Sequence, residues 1–164
     1  MLRDDIDARS GFLMTLDWLL AVMERYPSPL EFVLVHIAYG NKNELGEAYG
    51  AQEAVNQLAN VTRSLKKTFR KADMSARNGT DFWIIVPYTP ATEKIYDKVL
   101  GIFNDAKHDN LDIVDRETSI FSLTMLIEKK VHTRMNVVEF LDHLKQNRQD
   151  YATHSFRLPS NNSR

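Results

Sequence analysis

Residues 69–87 read FRKADMSARNGTDFWIIVP, a basic and polar segment that leads into an uninterrupted apolar run. The Asn78-Gly79 pair is the strongest short-range turn signal in the chain, because both residue types tolerate the positive φ angles of a tight hairpin. The run that follows is rich in aromatic and β-branched residues, as expected for a buried strand. The pattern predicts three parts: an arm at 74–76, a turn at 77–80, and a return strand at 81–86 that Pro87 ends.

The flanking sequence predicts helices and strands around this hairpin. Apolar residues at helical spacing predict a first helix over 12–23 that stops before Pro27. The segment 32–37 is apolar on both faces and predicts a central strand. The remaining predictions are a second helix over 51–69, a third from Thr89, strands at 113–114 and 119–127, and a last helix that Asn136 caps and that runs to Leu144. This order predicts an α+β fold, with a mixed, mostly antiparallel five-stranded sheet flanked by helices.

Length and composition narrow the class of protein. The chain has 164 residues, of which 43% are hydrophobic and 26% charged, as expected for one globular domain. We predict a single domain over residues 1–150 and a polar, flexible tail over 151–164. The absence of cysteine excludes disulfides and thiolate metal sites. The net charge of −1 argues against DNA binding, and the apolar runs are too short to cross a bilayer. These features predict a cytoplasmic domain, whether alone or within a larger, membrane-associated protein.

The segment 69–87 resembles the GGDEF family, the diguanylate cyclase domains of bacterial second-messenger signalling. In that family an Arg-x-x-Asp motif precedes a Gly-Gly-Asp/Glu-Glu-Phe hairpin, and an apolar strand ending in proline follows. Arg70 and Asp73 match the first motif. The place of the signature hairpin is taken by Asn78, Gly79, Thr80, Asp81 and Phe82. As a pattern of elements, the resemblance extends over residues 4–147 and implies the fold of the family.

The departures from the family pattern predict a domain without catalytic activity. Active members carry an Asp at the end of the first strand that helps to bind a divalent metal, and the matching residue here is His36. A second acid, common two residues later, is Ala38. The signature hairpin keeps one acid, Asp81, and is one residue shorter. Because Mg²⁺ prefers several carboxylate oxygens, we expect no catalytic residues, no metal and no cofactor. By itself, a histidine on an apolar strand is more often a satisfied core residue than a ligand.

The retained Arg-x-x-Asp implies a ligand site for cyclic di-GMP. In the family this pair forms the inhibitory product site, and some inactive members use it as a receptor site. The chemistry fits, because an arginine fork can bond O6 and N7 of guanine while a carboxylate accepts from the opposite edge. The predicted ligand residues are Arg70 and Asp73, with Arg77 as the third; Lys98 and Arg116 are alternatives for that third position. Taken alone, Arg70 and Asp73 are also a plain surface ion pair of small energetic value.

The resemblance implies an effector in bacterial processes such as biofilm formation or exopolysaccharide production. Its expected partners are cyclic di-GMP, other domains of the same chain or a partner protein, and a second copy in a homodimer. Two alternatives remain open: an interaction or dimerisation module in which both nucleotide sites are vestigial, and a domain that senses GTP without turning it over. Residual metal-dependent turnover is a further, weaker alternative, and it would require Asp81.

Overall fold

The computed structural model describes residues 3–26, 30–39, 74–78, 81–90, 94–97 and 116–158. The helices with both ends in these ranges are α1 (Arg3–Arg25), α2 (Leu123–Glu128), α3 (Val137–Gln146) and α4 (Arg148–Tyr151), and 95–97 is also helical. Five strands accompany them: β1 (Glu31–Tyr39), β2 (Met74–Asn78), β3 (Asp81–Tyr88), β4 (Arg116–Ser122) and β5 (His154–Leu158).

The strands form one sheet in the order β2-β3-β1-β4-β5, and each of the four pairings is antiparallel. β1 lies at the centre, between β3 and β4. This arrangement confirms the predicted five-stranded sheet flanked by helices. The prediction of a mixed, mostly antiparallel sheet is corrected in one respect, since the described pairings are antiparallel throughout. The strand order also places β1, whose sequence is apolar on both faces, where residues of both faces are buried.

One face of the sheet packs against α1, α2 and α3. Leu34, Trp83 and Phe121 project from neighbouring strands on this face and are buried. They join one hydrophobic cluster with the inner residues of the helices, which are Phe12, Leu16, Leu19 and Leu20 of α1, Leu123 and Leu126 of α2, and Phe140, Leu141 and Leu144 of α3. The apolar residues whose helical spacing predicted the first helix are therefore the residues through which α1 packs in the core.

The opposite face of the sheet is equally apolar along β1 and β3. Val33, Val35 and Ile37 alternate with the residues that face α1, and all three are buried. Ile84 of β3 and Ile120 of β4 are also buried beside them. The apolar character of β1 on both faces thus follows from its central position in the sheet.

The hairpin differs in detail from its prediction. β2 extends through Arg77 and Asn78, which were expected in the turn, and Asn78 pairs with Asp81. β3 continues past Pro87 to Tyr88. The described part of β2 starts opposite Ile85, so the described pairings of Pro87 are with β1 alone, and a proline at such a strand end is tolerated.

The predicted strand over 119–127 is wrong in its second half. β4 ends at Ser122, and α2 begins at Leu123. The Ser122 hydroxyl accepts a hydrogen bond of 3.2 Å from the Met125 backbone N–H, so it caps the helix. The apolar run after Ser122 suits a buried helix as well as a strand, and the capping serine is what distinguishes the two.

The last predicted helix is confirmed as α3. Asn136 forms a capping box with Glu139, in which the Asn136 side chain accepts from the Glu139 N–H at 2.9 Å. The chain beyond Tyr151 differs from the predicted flexible tail, because residues 154–158 form β5 and pair with β4. β5 is an edge strand that pairs with β4 through backbone hydrogen bonds, which leave no apolar signal in the sequence.

Some predictions lie outside the described residues. They are the second helix over 51–69 and the strand at 113–114, together with most of the third helix. The predicted start of the third helix at Thr89 is wrong, because 89, 90 and 94 are not helical and the described helical residues are 95–97. Over the described ranges, no helix combines the length and apolarity that a membrane span requires.

Candidate functional site

A buried polar cluster lies at one end of the β1–β3 ladder. In the ladder, His36 pairs with Trp83 and Ala38 pairs with Asp81, so His36 and Asp81 project from the same face of the sheet. Lys145, in the last turn of α3, contacts this end of the sheet through a hydrogen bond to Asp81. Two strands and a helix distant in sequence therefore bring an imidazole, a carboxylate and an ammonium together.

His36 is fully buried, with an exposed fraction of 0%. Its ring lies against the Trp83 indole, with ring centroids 4.4 Å apart. Its Nε2 atom is 3.6 Å from Asp81 Oδ2, an ion-pair distance that exceeds a hydrogen bond. Within the described part of the chain, neither ring nitrogen has a hydrogen-bond partner. Among the described residues, His36 therefore lacks the hydrogen bonds that a buried core histidine usually makes.

Asp81 is the charged centre of the cluster and is only 6% exposed. The Lys145 ammonium donates a hydrogen bond to Asp81 Oδ2. Burial by itself would raise the pKa of Asp81, but the His36 ring and the Lys145 ammonium outweigh it. The pKa of Asp81 therefore lies below its ordinary value of 3.8. The carboxylate is ionised at neutral pH, is paired with the Lys145 ammonium and lies beside the His36 imidazole.

A second acid in the same row of the sheet is also paired. Ala38 of β1 lies between Asp81 on β3 and Glu117 on β4. Arg148, three residues after Lys145, forms an ion pair with Glu117, with Nη2 and Oε2 3.1 Å apart. The C-terminal end of α3 and the start of α4 thus supply one cation to each of the two acids.

These side chains do not match the donor set of a divalent metal. Mg²⁺ and Ca²⁺ are held by several carboxylate or carbonyl oxygens. Here one carboxylate, Asp81, is flanked by a buried imidazole and an ammonium, and the ammonium occupies a lone pair that a metal would need. Among the described residues, no group of three or more His, Asp or Glu side chains is arranged to hold a metal ion.

A narrow cleft beside Asp81 lies between α1, β2 and α3. Arg9, Arg77 and Asp142 contribute charged groups to its walls, and Trp83 and Leu141 contribute apolar ones. Its volume is about 30 Å³, which is room for a single water molecule. The cleft belongs to the polar cluster but does not accommodate a nucleotide in this conformation.

The predicted ligand residues are only partly described by the structure. Arg70 and Asp73 lie outside the described residues, although the sequence places Asp73 directly before β2. Arg77 lies in β2 and lines the cleft beside Asp81. The structure therefore leaves the Arg-x-x-Asp site as a prediction.

The residues of the signature hairpin are also divided between described and undescribed positions. Asn78 ends β2, and Asp81 and Phe82 begin β3, whereas Gly79 and Thr80 lie outside the described residues. Phe82 is buried and projects to the opposite face from Asp81. Asp81, the one acid in the sequence 78–82, is therefore the residue that joins the polar cluster.

Sequence reasoning missed Lys145, Arg148 and Glu117. The available signal was the basic pair at positions 145 and 148, spaced i, i+3 where the apolar stripe of the last helix ends. That spacing predicts that the two cations share one side of the helix end. It does not predict which acids they meet, since those acids come from two other strands.

Comparisons with known proteins identify the fold. No family model matches the sequence, and no curated protein matches it at the sequence level. Solved structures do match it. The GGDEF domain of YfiN, also called TpbB, from Pseudomonas aeruginosa aligns with a TM-score of 0.59 and 13% identity, over 84% of this chain and 84% of that one.

Two further structures agree with this match. The GGDEF domain of DgcB from Caulobacter crescentus, solved in complex with c-di-GMP, gives a TM-score of 0.54 and 12% identity over 85% of each chain. The diguanylate cyclase SiaD from Pseudomonas aeruginosa, solved with its activator SiaC, gives 0.54 and 13% over 85% of this chain and 55% of that one. Such identities establish the fold alone, and the chain has the fold of the GGDEF domains, as the resemblance around residues 69–87 implied.

Proposed function

We propose that this chain is a GGDEF-fold signalling domain that binds cyclic di-GMP without synthesising it. In this proposal Arg70 and Asp73 form the binding site, with Arg77 as the third ligand residue. The domain then acts as an effector, whose contacts with other domains or with a partner protein change when the nucleotide binds.

The observation that supports the absence of synthesis is the pairing of Asp81. Joining two GTP molecules requires divalent cations to neutralise the triphosphate and the attacked α-phosphate. Asp81 lies beside fully buried His36 and accepts from Lys145, while Glu117 is paired with Arg148. A metal would have to displace Lys145 and, among the described residues of this cluster, would then gain a single carboxylate, which is a poor exchange for Mg²⁺.

The support for cyclic di-GMP as the ligand is chemical and comparative. An arginine and a carboxylate three positions apart, as in Arg70 and Asp73, can address opposite edges of a guanine base. A structural neighbour with the same fold, DgcB, was solved in complex with c-di-GMP. The basic residues that precede the motif, Arg63, Lys66 and Lys67, add favourable potential for a dianionic ligand.

Calorimetric titration tests the ligand site. We expect cyclic di-GMP to bind the wild-type protein with a dissociation constant near micromolar, about −8 kcal/mol. Arg70→Ala and Asp73→Asn should each abolish the binding heat. Arg63→Ala is the matched control, because it removes a nearby arginine of the same basic segment and should leave binding largely intact. Equal loss in Arg63→Ala would assign the effect to general charge and would contradict the site.

Metal titration and product analysis test the absence of synthesis. Incubation with GTP and Mg²⁺ or Mn²⁺ should yield no cyclic di-GMP, and any sustained turnover by the pure protein would overturn the proposal. The double variant His36→Asp/Lys145→Ala removes the two groups that surround Asp81 and adds a carboxylate. We expect Mn²⁺ to raise the melting temperature of this variant more than that of the wild type.

Other outcomes of the titrations favour the alternatives. Protection by GTP that is insensitive to Arg70→Ala would favour a GTP-sensing domain. The absence of binding by either nucleotide would favour an interaction module. Thermal-shift measurements with both nucleotides on the wild type and on Arg70→Ala separate these outcomes in one experiment.

A further inference from the structure

The outer face of α1 carries an exposed stripe with large apolar residues at its centre. Met14 is 74% exposed and Trp18 is 65% exposed. They are four residues apart and lie next to each other on the helix surface. The buried residues of the same helix, Phe12 and Leu16 among them, face the sheet on the opposite side. An exposed tryptophan and methionine side by side are characteristic of a surface that is covered by a partner.

The stripe continues along the helix with a heptad spacing. Successive steps of four and three residues connect six positions, which are Asp7, Gly11, Met14, Trp18, Ala21 and Arg25. A repeat of this kind keeps all six on one side of an α-helix and is the spacing of helix pairs. Asp7, Ala21 and Arg25 are exposed as well, and a Cβ atom built on Gly11 meets no atom within 4 Å. The α1 stripe, as we call these six residues, is therefore open along its length.

The α1 stripe is complementary to itself when two helices run antiparallel. With a two-fold axis at position 16, residue i of one helix faces residue 32 − i of the other. Met14 then faces Trp18, Gly11 faces Ala21, and Asp7 faces Arg25. The large residues meet large ones, the small residues meet small ones at close approach, and opposite charges close both ends. A parallel pair would instead place Asp7 against Asp7 and Arg25 against Arg25.

We infer that α1 is a dimerisation surface and that its partner is α1 of a second copy of this chain, packed antiparallel. The charge order along the stripe and its size order both select this occupant, since an isologous contact needs a surface that matches itself. The proposal does not depend on nucleotide binding, and it gives the homodimer a specific interface. A single helix pair buries less area than an obligate interface, so we expect a reversible dimer in the micromolar range or weaker.

Sedimentation over a range of protein concentrations tests the interface. The wild type should shift from monomer to dimer as concentration rises, and Trp18→Ala should weaken the dimer about tenfold or more, as for a buried aromatic hot spot. Tyr26→Ala is the matched control, because Tyr26 is 62% exposed, aromatic and off the stripe; it should dimerise like the wild type. Circular dichroism checks that each variant is folded.

Charge reversal tests the antiparallel register. Asp7→Lys and Arg25→Glu place like charges together at each end of the pair, so each should weaken the dimer. The double variant Asp7→Lys/Arg25→Glu restores opposite charges across the interface and should recover dimerisation. Failure of the double variant to recover, with the fold intact, would contradict the register.

Cross-linking gives a direct readout, because the chain has no cysteine of its own. Gly11→Cys and Ala21→Cys variants should cross-link to each other through a short bifunctional maleimide when mixed. Neither should cross-link with itself, which is what a parallel pair would produce. A wild type that stays monomeric at every concentration, or a dimer that Trp18→Ala leaves unchanged, would overturn the proposal.

Discussion

The β1–β3 ladder has a carboxylate at each of its ends, and the two ends differ in how they hold it. At one end Glu31 pairs with Tyr88, whose hydroxyl donates a hydrogen bond of 2.9 Å to Glu31 Oε2. Both side chains are partly exposed. At the other end Asp81 is nearly buried, between fully buried His36 and the half-exposed ammonium of Lys145.

The Glu31–Tyr88 end is an ordinary, partly exposed strand end, whereas the Asp81 end is a buried polar cluster. A tyrosine that shields a carboxylate at the wet edge of a sheet costs little, because water still reaches both groups. A buried carboxylate loses its hydration, and its partners must compensate for that loss. Apolar residues of similar size would usually pack at least as stably at such a position. The polar end of the ladder is therefore not explained by stability, which is typical of functional sites.

The largest effect is expected in the apolar middle of the ladder. Leu34 is fully buried on β1, within the cluster that packs under α1. Leu34→Ala should lower the free energy of unfolding by about 2–5 kcal/mol, because it removes buried methyl groups and leaves a cavity. Urea denaturation measures the change, and Val138→Ala on exposed α3 surface is the control, with little effect. A small loss for Leu34→Ala would contradict the assignment of this face as the core.

The next effect tests the buried end. Lys145→Met keeps the length of the side chain and removes the hydrogen bond to Asp81, so it should cost about 1–3 kcal/mol. The double variant Lys145→Met/Asp81→Asn should lose less than the sum of the two single changes, because neither group is then left charged and unpaired. Additive losses in this cycle would mean that Lys145 and Asp81 do not interact.

The dependence of folding stability on acid pH tests the charge of Asp81 at the buried end of the ladder. The lowered pKa of Asp81 means that its ionised form stabilises the folded state above the ordinary value of 3.8 and that this contribution is lost as the pH falls through the lowered pKa. The wild type should therefore lose stability more steeply below about pH 4 than Asp81→Asn. Equal slopes for the two proteins in urea denaturation at several acid pH values would contradict the paired, ionised carboxylate.

The smallest effect is expected at the wet end. Partial burial and the hydrogen bond to Glu31 raise the pKa of Tyr88 to about 12. The protonated hydroxyl therefore stabilises the fold below about pH 10, and this contribution is lost as the pH rises through the raised pKa. Tyr88→Phe should cost about 0.5 kcal/mol at neutral pH. Phenolate absorbance, compared between the wild type and Tyr88→Phe, should show one tyrosine that ionises late.

Much of the fold was readable from local sequence. The helical spacing in α1, the apolar run in β1, the Asn-Gly hairpin and the Asn136 cap each depend on residues a few positions apart, and each element is present in the structure. The errors came from places where local sequence is ambiguous. The run after Ser122 suits a strand or a helix, and a proline near a strand end, such as Pro87, can lie within the strand as well as end it.

The sequence also predicted that Asp81 is the one acid of the hairpin and that His36 replaces an acid on the first strand. It could not predict that Lys145 pairs with Asp81, because the two residues are separated by 64 positions and only the packing of α3 on the sheet brings them together. The same holds for Arg148 and Glu117 across β4.

The α1 stripe shows the contribution of local sequence and the contribution of tertiary packing in one helix. The sequence by itself determined its heptad spacing and its charge order, because a helix fixes which residues share a side. Only the tertiary structure decided that this side is the outer one, since α1 buries its other side against the sheet. Local periodicity specifies faces, and the packing of distant elements decides which face remains for a partner.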